Sequence, residues 1–167
     1  MSVTPAGLSA KEMHVPKVYR QGPLGALIDE YERAAGELAR LVEGLSDEEY
    51  ELVRDPGNEF PSVRAILAHV VAAGHGHAGL VRKAWGLERG TWSREGFSRQ
   101  ESGPRLRAML DYTSATLEGK WAMTEDEMSA VQMRSGWGVM YDLEQLFEHT
   151  IVHVLRHRRQ IERLLAR

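Results

Sequence analysis

The sequence predicts an all-α protein, an antiparallel four-helix bundle. Four long segments carry apolar residues at three- and four-residue steps, and Gly, Pro and polar clusters separate them. No alternating apolar run offers a strand partner, so the amphipathic helices must bury their stripes against one another. The 167 residues suit one domain, with residues 1–20 as an N-terminal extension and residues 21–167 as the bundle.

The first helix starts after Gly22-Pro23, where proline suits an opening turn. Its apolar face runs from Leu24, Leu27, Ile28 and Tyr31 to Leu38, Leu41, Val42 and Leu45, with Asp29, Glu30, Glu32, Arg33, Glu37 and Arg40 opposite. Gly44 ends it, and Ser46 with Glu49 reads as a capping box for a short turn. Asp55-Pro56-Gly57-Asn58 is a turn. The second helix begins near Ser62, carries Val63, Ile66, Leu67, Val70, Ala73, Leu80 and Val81, and ends around Gly86. The polar stretch to Pro104 is a long surface connection. Ser102 and Pro104 are expected to open the third helix, whose stripe is Leu106, Met109, Leu110, Thr113, Leu117 and Trp121. Residues 128–141 read as a second long connection, irregular or weakly extended. Asp142, with Gln145 three residues on, caps a fourth helix that runs to the C-terminus.

Composition narrows the function classes. Hydrophobic residues make up 43% and charged residues 27%, a globular balance, and the net charge is -3. With 21 Lys+Arg against 24 Asp+Glu there is no basic excess for a nucleic-acid binder. The chain has no cysteine, which removes disulfides, zinc-thiolate sites and cysteine nucleophiles. No apolar stretch is long enough to cross a membrane, and the first 20 residues lack the apolar region of a secretory signal, so a cytoplasmic protein is expected.

Six of the seven histidines lie in two helices. At 100° per residue, with His153 as zero, His157 falls near 40°, inside the stripe of Leu146, Leu143, Ile161 and Val154. His149 falls about 40° to the other side and is expected to face solvent. Two inward imidazoles one turn apart can point at one ion, although such pairs also occur as hydrogen-bonded core histidines. His69 on the second helix borders that helix's stripe and supplies a third nitrogen. Three inward imidazoles without an ion would each need a separate polar partner, which is costly. His69, His153 and His157 are therefore the candidate ligands of one divalent ion with open positions, and zinc, nickel, iron or manganese could accept the set. His77 is also inward, but about 12 Å along the helix from His69. It lines a pocket or, with a different stagger, replaces His69 as ligand. His75 points outward.

The fourth helix carries His153-Val-Leu-Arg-His157-Arg158-Arg159-Gln160, and the second carries Ser62-Val-Arg-Ala-Ile-Leu-Ala-His69. In these motifs, in its length and in its four-helix layout, the chain resembles the DinB/YfiT-like superfamily from about residue 20 onwards. The resemblance implies a bundle of unusual connectivity, frequent homodimers, a nickel or zinc ion on three histidines, and thiol-dependent transferases or isomerases among the relatives. One departure is Arg159, where the signature usually has glycine.

Two functional readings follow. In the first the protein is a metal-dependent enzyme, a thiol S-transferase or hydrolase, in which the ion favours a thiolate or an ionised water. No general base stands out: Glu148 points outward, and Asp55, Glu59 and Asp142 lie in loops. Arg64, Arg156 and Arg158 are candidates for an anionic small-molecule thiol cosubstrate, and Trp137 for a cover over the ion. In the second the protein is a non-catalytic stress-response binder whose metal is structural or sensed. A structural site should be closed by a fourth protein ligand, whereas an enzyme needs an accessible one.

Overall fold

The computed structural model describes residues 19–166, so residues 1–18 of the expected extension lie outside the described part. Helix α1 spans Gly22–Glu43, α2 Asp47–Glu51, α3 Val63–Ala84, α4 Arg99–Thr116, α5 Glu125–Ala130 and α6 Leu143–Leu165. The two-residue strands β1 (Met133–Arg134) and β2 (Met140–Tyr141) pair antiparallel, Met133 opposite Tyr141. Four long helices thus form an all-α fold, and none of the described helices is long and apolar enough to cross a membrane.

Sequence features set most boundaries. Pro23 lies in the first turn of α1. Ser62 Oγ accepts the Ala65 N–H at the start of α3, and Asp142 forms a capping box with Gln145 at the start of α6. The third long helix begins earlier than expected. Ser98 and Glu101 form its capping box, and Pro104 lies inside the helix. It ends at Thr116, so Trp121 packs against the core from the following turn. Residues 128–141 hold more order than expected, with the end of α5 and the β1–β2 hairpin, and a Thr124–Glu127 capping box starts α5.

Helix α1 packs on α4 and α6, and α3 packs on the same two. Sequence neighbours α1 and α3 are therefore diagonal in the bundle, which the long connections permit. At its centre Tyr31, Met109 and Gly74 bring α1, α4 and α3 together. The Tyr31 hydroxyl donates to Met109 Sδ at 3.2 Å, and burial pushes its pKa up. A Cβ on Gly74 would lie 2.2 Å from that sulfur and 2.5 Å from the hydroxyl, so only glycine permits this approach. Asp29, expected on the polar face of α1, is instead buried. Its carboxylate accepts from the Arg20 backbone N–H at 3.1 Å and from the Arg20 guanidinium at 2.6 Å. The pair satisfies a charge that burial would otherwise penalise, and it ties the segment before α1 down.

Candidate metal centre

Helices α3 and α6 pack face to face, and that packing joins two sets of imidazoles. The ligand atoms of His69, His153 and His157 all lie within 4.8 Å of one another. The Nε2 atoms of His69 and His153 are 3.0 Å apart. Nitrogens bound to a tetrahedral ion at about 2.0–2.1 Å are about 3.4 Å apart, so small side-chain rotations would fit the three around one ion. No Asp or Glu joins this group among the described residues.

The donor chemistry suits a cation. The Nδ1–H of His157 donates to Gln160 Oε1 at 2.8 Å, which leaves the His157 Nε2 lone pair as its free donor. Burial lowers the pKa of His153 to about 2, helped by the neighbouring imidazoles of His157, His77, His69 and His149. Burial also lowers those of His157 and His69. Gln160 opposes the shift at His157 and Glu59 opposes it at His69, whereas Arg94 adds to it at His69. All three rings are therefore neutral at physiological pH, the state a metal requires.

His77 stands outside this set. It is buried, and its Nδ1 lies 3.0 Å from Thr150 Oγ1. The hydroxyl proton of Thr150 is already given to the Leu146 carbonyl at 2.8 Å, so Thr150 accepts and His77 Nδ1–H donates. Burial lowers the His77 pKa to about 3, with His149 and His69 as lesser causes. Of the two sequence readings for His77, the pocket residue is the one seen. His149, expected in solvent, is half-buried: its ring packs at 5.2 Å from His77, 5.6 Å from Trp137 and 5.3 Å from Tyr141. The hairpin covers the helix edge that periodicity assigned to solvent. His75, expected outside, is half-buried and stacks on Trp92 at 5.9 Å.

A cavity of about 890 Å³ opens on His69 and His153 and continues past His77 and His149 to Trp137. Trp137 lies over His77 at 6.1 Å, at the tip of the β1–β2 hairpin, rather than over the three-histidine group. A second cavity of about 490 Å³ meets His157 from the other side, with Arg156, Asp55 and Gln160 in its wall. Phe60 lines both and packs 4.4 Å from the His69 ring. Of the candidate acids, Glu59 lines the larger cavity, Asp142 is spent on capping α6, and Glu148 is exposed. Arg158 pairs with Glu37, and Arg64 with Glu51 at 3.0 Å. Phe60, Trp92, Arg94 and Thr150 escaped the sequence reading. Only Thr150, on the inward stripe of α6, carried a periodic signal.

Comparison with known proteins places this arrangement. The profile of the DinB family matches residues 18–167. The crystal structure of the mycothiol-dependent maleylpyruvate isomerase is similar in fold, with a TM-score of 0.56 and 16% identity over 84% of this chain. A histidine-to-alanine mutant of that enzyme gives a TM-score of 0.54 at 16% identity and the same coverage. The match covers 61% of the isomerase chain. No curated protein matches by sequence.

Proposed function

The chain belongs to the DinB family, and on that premise we propose that it is a metal-dependent enzyme of the thiol S-transferase or hydrolase type, with one divalent ion, zinc or nickel ahead of iron or manganese, on His69, His153 and His157. The observation that carries this reading is the convergence of three neutral imidazoles, two of which, His69 and His153, line a large cavity. Only three protein donors gather there among the described residues, which favours an open site over a closed structural one. A similar fold in a thiol-dependent isomerase supports the thiol assignment.

A bound divalent ion would supply Lewis-acid chemistry that favours the anionic form of a thiol or water near neutral pH. The chain's own residues do the rest. Gln160 holds the His157 ring with Nε2 turned from its own hydrogen bond. Phe60 covers the His69 ring and limits water on that side. Glu59 is the carboxylate of the cavity wall and can take a proton from an incoming nucleophile.

Cobalt-loaded protein provides the test. On this reading, adding a low-molecular-weight thiol shifts the visible spectrum, and the zinc- or nickel-loaded protein consumes thiol with an electrophile such as 1-chloro-2,4-dinitrobenzene. His153→Ala abolishes both. A cobalt spectrum indifferent to every thiol and to small anions would instead support the non-catalytic reading.

A further inference from the structure

Two features of the large cavity remain unused by the metal centre. The first is an acceptor. His77 is 4% exposed and its Nδ1–H is committed to Thr150, so its Nε2 carries a lone pair. No described residue donates to that nitrogen, and the ring lines the cavity. A buried acceptor facing a cavity is matched by a donor on whatever fills the cavity.

The second is a cation. Three arginines, Arg64, Arg89 and Arg94, line the cavity against one carboxylate, Glu59. Arg64 is held by Glu51 and the Gly96 carbonyl. Arg89 lies over the Trp92 ring at 5.7 Å. Arg94 has no hydrogen bond or ion pair among the described residues, and its charge is felt at His69. It therefore stands at the metal end of the cavity, free to take an anion.

Between these ends the floor is small. Ala65, Ala68, Ala72, Ala73 and Gly76 repeat along one face of α3 and leave a trough. Trp92 closes one side, its ring 3.9 Å from where a Cβ on Gly76 would lie. The lining runs from Ala65 to Leu80, about 20 Å along the helix. His69 and His77 are about 12 Å apart along it.

We propose that the cavity takes an elongated organic acid by both ends, its carboxylate on Arg94 beside the three histidines and a hydroxyl or N–H donor on His77 Nε2, with a flat body on the alanine-glycine floor. The inference rests on the reading of this cavity as the substrate site, but neither contact requires the metal.

The probes are trans-4-hydroxycinnamate, its methyl ether 4-methoxycinnamate, and the uncharged 4-hydroxycinnamide, titrated calorimetrically at pH 7 into zinc-loaded and metal-free protein. Each analogue removes one handle, and each is expected to bind at least about tenfold more weakly than the parent acid. Arg94→Gln should remove the preference for acid over amide while keeping that for hydroxyl over ether. His77→Phe should do the reverse. Thr150→Val, which keeps the shape of the side chain but removes the acceptor for Nδ1–H, should weaken the hydroxyl preference even if His77→Phe disturbs folding. Arg156→Gln, in the other cavity, should change neither. Equal binding of the amide, equal binding of the ether, or no binding of the acid would overturn the proposal. Zinc content measured on the same samples separates the two readings. Zinc bound without acid sinks only this inference, whereas acid bound with both preferences and no zinc sinks only the metal assignment.

Discussion

Gln160 decides which nitrogen of His157 faces the other imidazoles. Its Oε1 accepts Nδ1–H at 2.8 Å and thereby presents Nε2. Partners of this kind are worth about 10–100-fold in metal affinity. Gln160→Leu should therefore weaken zinc binding by that factor while leaving helicity unchanged, as a competition titration against a chromophoric chelator would read. Unchanged affinity would mean that Gln160 only decorates the helix. Gln160 was legible in the sequence as part of the signature, but its hydrogen bond was not, because that depends on the rotamer of His157. Neither was His149. Its angle on the helix was right, yet the hairpin carrying Trp137 and Tyr141 folds over that edge and makes it an inner position.

Among the elements, α3 is the one that both packs the bundle and builds the site. Gly74 faces Tyr31 and Met109, whereas Gly76 faces the cavity with only Trp92 near, at 3.9 Å. Gly74→Ala should destabilise the protein by about 1–3 kcal/mol through overpacking. Gly76→Ala should be neutral or stabilise by up to about 1 kcal/mol, since alanine is the better helix former. Chemical denaturation of the two variants measures the difference, and equal effects would contradict the packing described. The long helices were readable wherever an apolar stripe and a cap agreed, as at Ser62 and Asp142. The start of α4 was misplaced because Ser102 and Pro104 resemble a helix opening, while the capping box at Ser98 and Glu101 sits in a polar stretch without a stripe. The α5 start, marked only by Thr124 and Glu127, was missed for the same reason. The wall formed by Trp92 and Arg94 depends on a long connection folding back over α3, a non-local contact that no periodicity announces.

For the whole molecule, burying several neutral imidazoles makes stability depend on pH. The folded pKa values of His69, His77, His153 and His157 lie below the ordinary 6.5. Above 6.5 both folded and unfolded chains hold these rings neutral, and they contribute no slope. Below 6.5 the unfolded chain takes up protons that the folded chain refuses, so stability falls as pH falls, for His77 down to about 3. Metal-free protein should therefore lose melting temperature between pH 6.5 and 4, and His77→Phe should flatten part of that slope. A flat profile would show that these rings are more hydrated than their burial implies. The bundle class followed from the stripes alone, because amphipathic helices without strands have few other ways to bury their faces. The diagonal placement of α1 and α3 did not, because connection length permits it without requiring it. The central claim is that His69, His153 and His157 hold one divalent ion. Elemental analysis of protein exchanged into excess zinc and dialysed tests it most directly. One zinc per chain is expected for the wild type and for His77→Ala, with loss in each of His69→Ala, His153→Ala and His157→Ala. Full zinc retention in those three variants, or its loss in His77→Ala alone, would contradict it.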